Sequence, residues 1–122
     1  MADWYSRPML LVADVEAASA FYVEKLGFSE AWRFAEGDEK AFVAQVQRGG
    51  CEIILTSQWP DKIGMGMLFI SLTPADWKAL PEMLGARGVA CTEGWWGYRM
   101  WVVADPAGNQ LFFPDPDDPG GG

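Results

Sequence analysis

The sequence predicts an α+β domain made of two copies of a βαβββ unit. Three observations predict it. Two segments carry apolar residues at helical spacing, each preceded by one strand-like run and followed by three. The turn and cap residues between these runs recur in the same order. The recurrence has one offset: Asp14 corresponds to Thr73 and Gly50 to Asn109, each pair 59 positions apart. A constant offset across separate landmarks marks a duplicated structural unit. A unit of about 60 residues buries too little surface to stand alone, so the two are expected to pack together. They form one domain over 1–114, with modules at about 7–57 and 67–114.

In the first module, residues 8–13 are apolar and β-like, and Asp14 follows as an N-cap. Glu16 in the first turn complements the helix dipole. Ala17, Ala18, Phe21, Tyr22, Lys25 and Leu26 follow at helical spacing, and Gly27 stops the helix. Three strands are expected at about 28–34, 40–47 and 51–57, with turns at Gly37-Asp38 and Gly49-Gly50. Residues 58–66 link the modules.

The second module opens with a strand at 67–72. Thr73 is an N-cap, with Pro74 at the first helical position and Asp76 two residues on. Trp77, Leu80 and Leu84 form the apolar stripe, with Trp77 in the core. Pro81 is expected to kink or shorten this helix, because it lacks an N–H. Gly85 and Gly88 end it. Strands at about 89–93, 98–104 and 110–113 complete the module. Residues 115–122, rich in Asp, Pro and Gly, are expected to form a flexible acidic tail.

Composition excludes several function classes. Half of the 122 residues are hydrophobic and 21% are charged, so a core forms without disulfides. Cys51 and Cys91 are the only cysteines and are expected to be buried free thiols. The net charge of −8 argues against nucleic acid and against anionic membrane surfaces. It suits solubility, or a cationic ligand. No apolar run is long enough to span a membrane, and the first residues lack a signal-peptide pattern, so a cytoplasmic protein is expected. The chain has seven Trp and no His. Without His it lacks the commonest metal ligand and the commonest base near neutral pH. No Ser or Cys can have a His partner, and Gly64-Met65-Gly66 lacks the Lys of a phosphate-binding loop.

Two motifs carry a resemblance. Phe21-Tyr22 followed by Leu26-Gly27-Phe28 is one. Trp96-Gly97-Tyr98-Arg99 followed by Asp105-Pro106-Ala107-Gly108-Asn109 is the other. Together with the repeat, they resemble the vicinal oxygen chelate superfamily of glyoxalases, bleomycin resistance proteins and dioxygenases, closest to the bleomycin-resistance-like branch. The resemblance covers about residues 7–114. It implies a cupped mixed sheet and a homodimer whose clefts lie between or across subunits, with modules exchanged in some arrangements. It also implies four inward strand positions that hold metal in the metal-using members. Here these positions fall on Arg7, Met67, Phe112 and about Ile54, with Glu52 two residues earlier. Such residues do not hold a divalent cation, so no metal and no cofactor are expected.

What stands in place of the metal is apolar and aromatic. The expected ligand-binding residues are Trp32, Phe42, Trp59, Met65, Met67, Trp95, Trp96, Tyr98, Arg99, Trp101 and Phe112. Tyr98, Met100 and Val102 face one way along their strand, and Arg99, Trp101 and Val103 the other; the sequence leaves open which set lines the cleft. Such a cleft suits a flat aromatic molecule held by stacking. The favoured function is metal-independent sequestration of a bleomycin-like or other chromophore-bearing peptide antibiotic, with no catalytic residue. The alternatives are a superfamily enzyme with atypical or no metal ligands, and a dimeric structural or regulatory partner.

Overall fold

The structure is a computed structural model that describes residues 4–118. The first module runs β1 (Met9–Leu11), α1 (Val15–Leu26), β2 (Ser29–Phe34), β3 (Val43–Arg48) and β4 (Cys51–Thr56). The second runs β5 (Met67–Phe69), α2 (Pro74–Ala86), β6 (Thr92–Trp95), β7 (Arg99–Ala104) and β8 (Gln110–Pro114). The mixed sheet takes the form of two four-stranded halves, ordered β1-β4-β3-β2 and β5-β8-β7-β6. In each half the first strand runs parallel to the last and the other pairs are antiparallel. Strands β1 and β5 each end their sheet.

The caps form as local chemistry dictates. The Ala17 amide donates to Asp14 Oδ1 at 3.1 Å, and the Asp76 amide to Thr73 Oγ1 at 3.2 Å. Gly27 closes α1 with a φ of 76°, the left-handed region where a side chain is strained. Helix α2 is not shortened at Pro81. Proline at that position leaves the Trp77 carbonyl without its helical donor. The Trp101 indole fills the gap, donating to that carbonyl at 3.3 Å. Its ring also stacks on Trp77, with centroids 5.0 Å apart.

The core lies between each sheet and its helix. Alternation along β3 and β4 turns Ala44, Val46, Ile53 and Leu55 inward, where they and the α1 residues Val15, Ala18, Tyr22 and Leu26 form one buried cluster. Trp77, Leu80 and Leu84 bury the apolar stripe of α2. The first four residues of the expected tail make contacts with the second module. The Asp115 amide donates to the Arg99 carbonyl, the Arg99 amide to Asp118, and Lys78 meets Asp117 at 3.8 Å. Residues 119–122 lie outside the described residues.

The modules are joined by buried polar contacts. Tyr22 on α1 donates to Asp105 Oδ2 at 2.9 Å, across 83 positions of sequence. Asp105 also accepts from the Ala107 amide and from the backbone and side chain of Asn109. The Asn109 side chain in turn donates to the Leu11 carbonyl and accepts from the Gly66 amide. A side chain at Gly66 would run into Leu10 and Asn109, at 2.6 and 2.8 Å from its Cβ. In the last turn of α1, Lys25 and Arg87 each donate to the other's carbonyl.

Candidate functional site

The face of the second sheet turned away from α2 carries an apolar cavity. The register pairs Phe69 with Phe112, Phe112 with Val102, and Met100 with Gly94. Side chains on paired residues share a face, so Met67, Phe69, Met100, Val102 and Phe112 stand together. With Gly94, Trp95 and Trp96 they line a cavity of about 580 Å³. Trp96 meets Phe69 edge-on at 5.2 Å, and Phe69 meets Phe112 at 5.5 Å. Gly94 keeps the floor open, since a Cβ there would lie 2.9 Å from Val102 and 3.1 Å from Met100. Large side chains here remain exposed: Met67 at 68% and Trp96 at 65%.

The matching face of the first sheet is mixed in character. A bulge at Ala31 decides it. Glu30 turns toward α1, where it accepts from Ser19, while Trp32 turns to the opposite face beside Gln45. Without the extra residue both would share one side. Phe34 stands on the Trp32 side and meets Phe42 edge-on at 5.5 Å. The floor between them is polar. Gln45, only 5% exposed, accepts from Arg7 at 2.8 Å and from the Trp32 indole at 3.2 Å. Its amide donates to Glu52 at 3.0 Å and to Gln47 at 3.3 Å.

A groove of about 720 Å³ runs between the modules. Its walls include Pro8, Arg48, Cys51, Glu52, Leu72 and Met83. It shares Leu68 and Phe69 with the apolar cavity. Burial raises both free thiols, Cys51 and Cys91, which are half-buried rather than fully enclosed.

The residues expected from the sequence therefore fall into groups. Met67, Trp95, Trp96 and Phe112 come together at the cavity, and Tyr98 packs against Trp96 with ring centroids 6.4 Å apart. Trp32 and Phe42 belong to the first sheet's face. Trp59 and Met65 lie in the connecting segment, both exposed, with Trp59 capping a short 3-10 turn. Arg99 and Trp101 are not brought to the cavity. They face α2, where Trp101 stacks on Trp77 and the Arg99 guanidinium lies 5.6 Å from the Trp77 ring. Phe69 and Gln45 were missed, and Met100 and Val102 were one of the two strand faces that the sequence left open. The period of two from Met67 reaches Phe69; nothing local marks Gln45.

The sequence profile of the glyoxalase/bleomycin resistance protein/dioxygenase superfamily matches residues 4–113. The chain belongs to that superfamily. Solved structures bear on it further. A bleomycin-binding protein from bleomycin-producing Streptomyces verticillus, complexed with copper(II)-bleomycin, has 26% identity and a TM-score of 0.69, over 93% of this chain and 97% of the other. An antibiotic-binding protein from Streptomyces sp. CB03234 has 24% identity and a TM-score of 0.69, over 93% and 98%. A lactoylglutathione lyase from Agrobacterium tumefaciens has 16% identity and a TM-score of 0.72, over 93% of each chain, a likeness of fold alone. No curated protein sequence matches the chain.

The superfamily's metal positions can be tested on the donor set present. Arg7, Met67, Phe112 and Ile54 offer no hard or borderline donor, and Glu52 adds one carboxylate. Among the described residues no three His, Cys, Asp or Glu gather as metal donors. The residues do not fit a divalent metal.

Proposed function

We propose that this chain binds and sequesters a flat aromatic small molecule without a metal, as a cytoplasmic homodimer. The ligand class is a bleomycin-like or other chromophore-bearing peptide antibiotic. One observation carries the reading: an open cavity walled by Phe69, Trp96, Met100 and Phe112 on the face that also carries Met67. Its π-rich walls suit stacking, and its methionines adapt their packing. The bleomycin-binding relative at 26% identity supports the ligand class. Sequestration needs no catalytic residue.

The dimer rests on exposed surface. Met9, Trp32, Phe34, Met67, Phe69, Trp95 and Trp96 are each more than 40% exposed. Apolar faces of this extent mark an interaction site. Each half-sheet also ends in two outer strands, β1 and β2 in one and β5 and β6 in the other, which suits a partner module completing the cup.

The test is a titration of intrinsic Trp fluorescence with metal-free and copper-loaded bleomycin and with a quinoxaline-bearing peptide antibiotic, with and without EDTA. Saturable quenching by a metal-free ligand, unchanged by EDTA, is expected. Absence of quenching by every member of the panel overturns the proposal.

A further inference from the structure

The first sheet's face holds two charges that answer to one buried amide. Gln45 uses all four of its hydrogen-bond valences: two at its oxygen, from Arg7 and Trp32, and two at its nitrogen, toward Glu52 and Gln47. Its orientation is fixed by its neighbours. Arg7 and the indole only donate, so they meet the oxygen; a carboxylate only accepts, so Glu52 meets the nitrogen. Among the described residues, neither Arg7 nor Glu52 forms an ion pair. Among the described residues, Arg7 keeps N–H groups without an acceptor, and Glu52 keeps a second oxygen without a donor.

We propose that Arg7, Gln45 and Glu52 form a recognition strip for a neutral group presenting an acceptor beside a donor, such as a primary carboxamide on the aromatic ligand. This inference rests on the binding function proposed above and names the polar end of the same ligand. A carbonyl oxygen meets Arg7 and an amide N–H meets Glu52. A cation would be attracted by Glu52 but repelled by Arg7, and an anion the reverse. A dipolar neutral group satisfies both. Glu52 also lines the groove that shares Phe69 with the apolar cavity. The groove thus runs from the edge of the apolar cavity to the Glu52 end of the strip. The Trp32 indole, held by Gln45, forms a fixed wall beside it.

The probes are 2-naphthamide and 2-acetonaphthone, which match in shape and acceptor but differ in the amide donor. Binding is followed on the full chain by amide and indole NMR correlation spectra, with Trp32 and Trp96 indoles assigned by Trp32→Phe and Trp96→Phe. We expect both probes to shift the Trp96 indole. Only 2-naphthamide shifts the Trp32 indole and Gln45 side-chain signals, with about tenfold tighter binding, because a site built to pair a donor rejects the analogue without one. Glu52→Met, checked for folding by thermal melting, removes most of that preference, and Arg7→Met weakens both probes, because both present the carbonyl that Arg7 meets. Saturable binding of both probes with equal affinity overturns the strip and leaves the aromatic-binding function standing. Absence of binding by either probe overturns both.

Discussion

Asp105 is the residue on which the junction between modules turns, and Asp105→Ala measures it. The carboxylate is 4% exposed and accepts four hydrogen bonds of 2.9–3.0 Å, from Tyr22, Ala107 and twice from Asn109. Alanine strands all four donors. Bonds to a charged group are worth about 1.5–3 kcal/mol each, but they share one turn that can relax toward water. The loss expected is therefore about 4 kcal/mol rather than the sum, in the range for breaking a buried polar network. Tyr22→Phe removes only one of the four and is expected to cost about 1.5 kcal/mol. In the Asp105→Ala background the same Tyr22→Phe change is expected to cost almost nothing, since its partner is gone. The assay is urea unfolding followed by circular dichroism at one fixed protein concentration, because dimerisation would shift apparent stability. A loss below about 1 kcal/mol for Asp105→Ala, or a Tyr22→Phe cost unchanged between backgrounds, refutes the reasoning.

Other predictions follow from the same geometry. Burial, and then the neighbouring Asp105 charge, push the Tyr22 phenol far above its ordinary value near 10. The folded chain keeps a proton that the unfolded chain releases, so stability is intact below about pH 10 and falls above it, by about 1.4 kcal/mol per pH unit. Tyr22→Phe should flatten that alkaline decline in pH-dependent melts. Trp101→Phe loses the bond to the Trp77 carbonyl beside Pro81 and should cost about 1–2 kcal/mol in thermal melts, with ligand affinity unchanged because Trp101 faces α2. Sedimentation equilibrium should give a dimer, and Phe34→Asp on the exposed face should shift it toward monomer; a monomeric wild type contradicts the proposed assembly. Cys51 and Cys91 should react slowly with iodoacetamide at neutral pH, because burial disfavours their thiolates.

The parts of the fold legible in the sequence are those set by local chemistry. Asp14, Thr73 and Gly27 announce helix ends because capping is decided within a few residues. The offset between Asp14 and Thr73 announces the duplication. What the sequence hides is set at a distance. Pro81 predicts a kinked or shortened helix only until Trp101, 24 positions beyond Trp77, supplies the donor that the Trp77 carbonyl lacks. The bulge at Ala31 aims Trp32, yet no Gly or Pro marks it. Alternation offered two faces for β7, and only the stacking of Trp101 on Trp77 assigns the other face, with Met100 and Val102, to the cavity. Gln45 reads as an ordinary strand polar residue. Its importance comes from Arg7 and Glu52, which reach it from two other strands or their flanks.

The most direct test of metal-independent aromatic binding is calorimetric titration of metal-free bleomycin into EDTA-treated protein, wild type beside Trp96→Ala. Trp96 is 65% exposed, so its removal should leave the fold intact while taking one wall from the cavity. We predict saturable heat for the wild type and affinity about tenfold weaker for the variant, the loss of roughly one aromatic stacking contact. Heat that appears only after a divalent metal is restored, or binding that Trp96→Ala leaves untouched, contradicts the account.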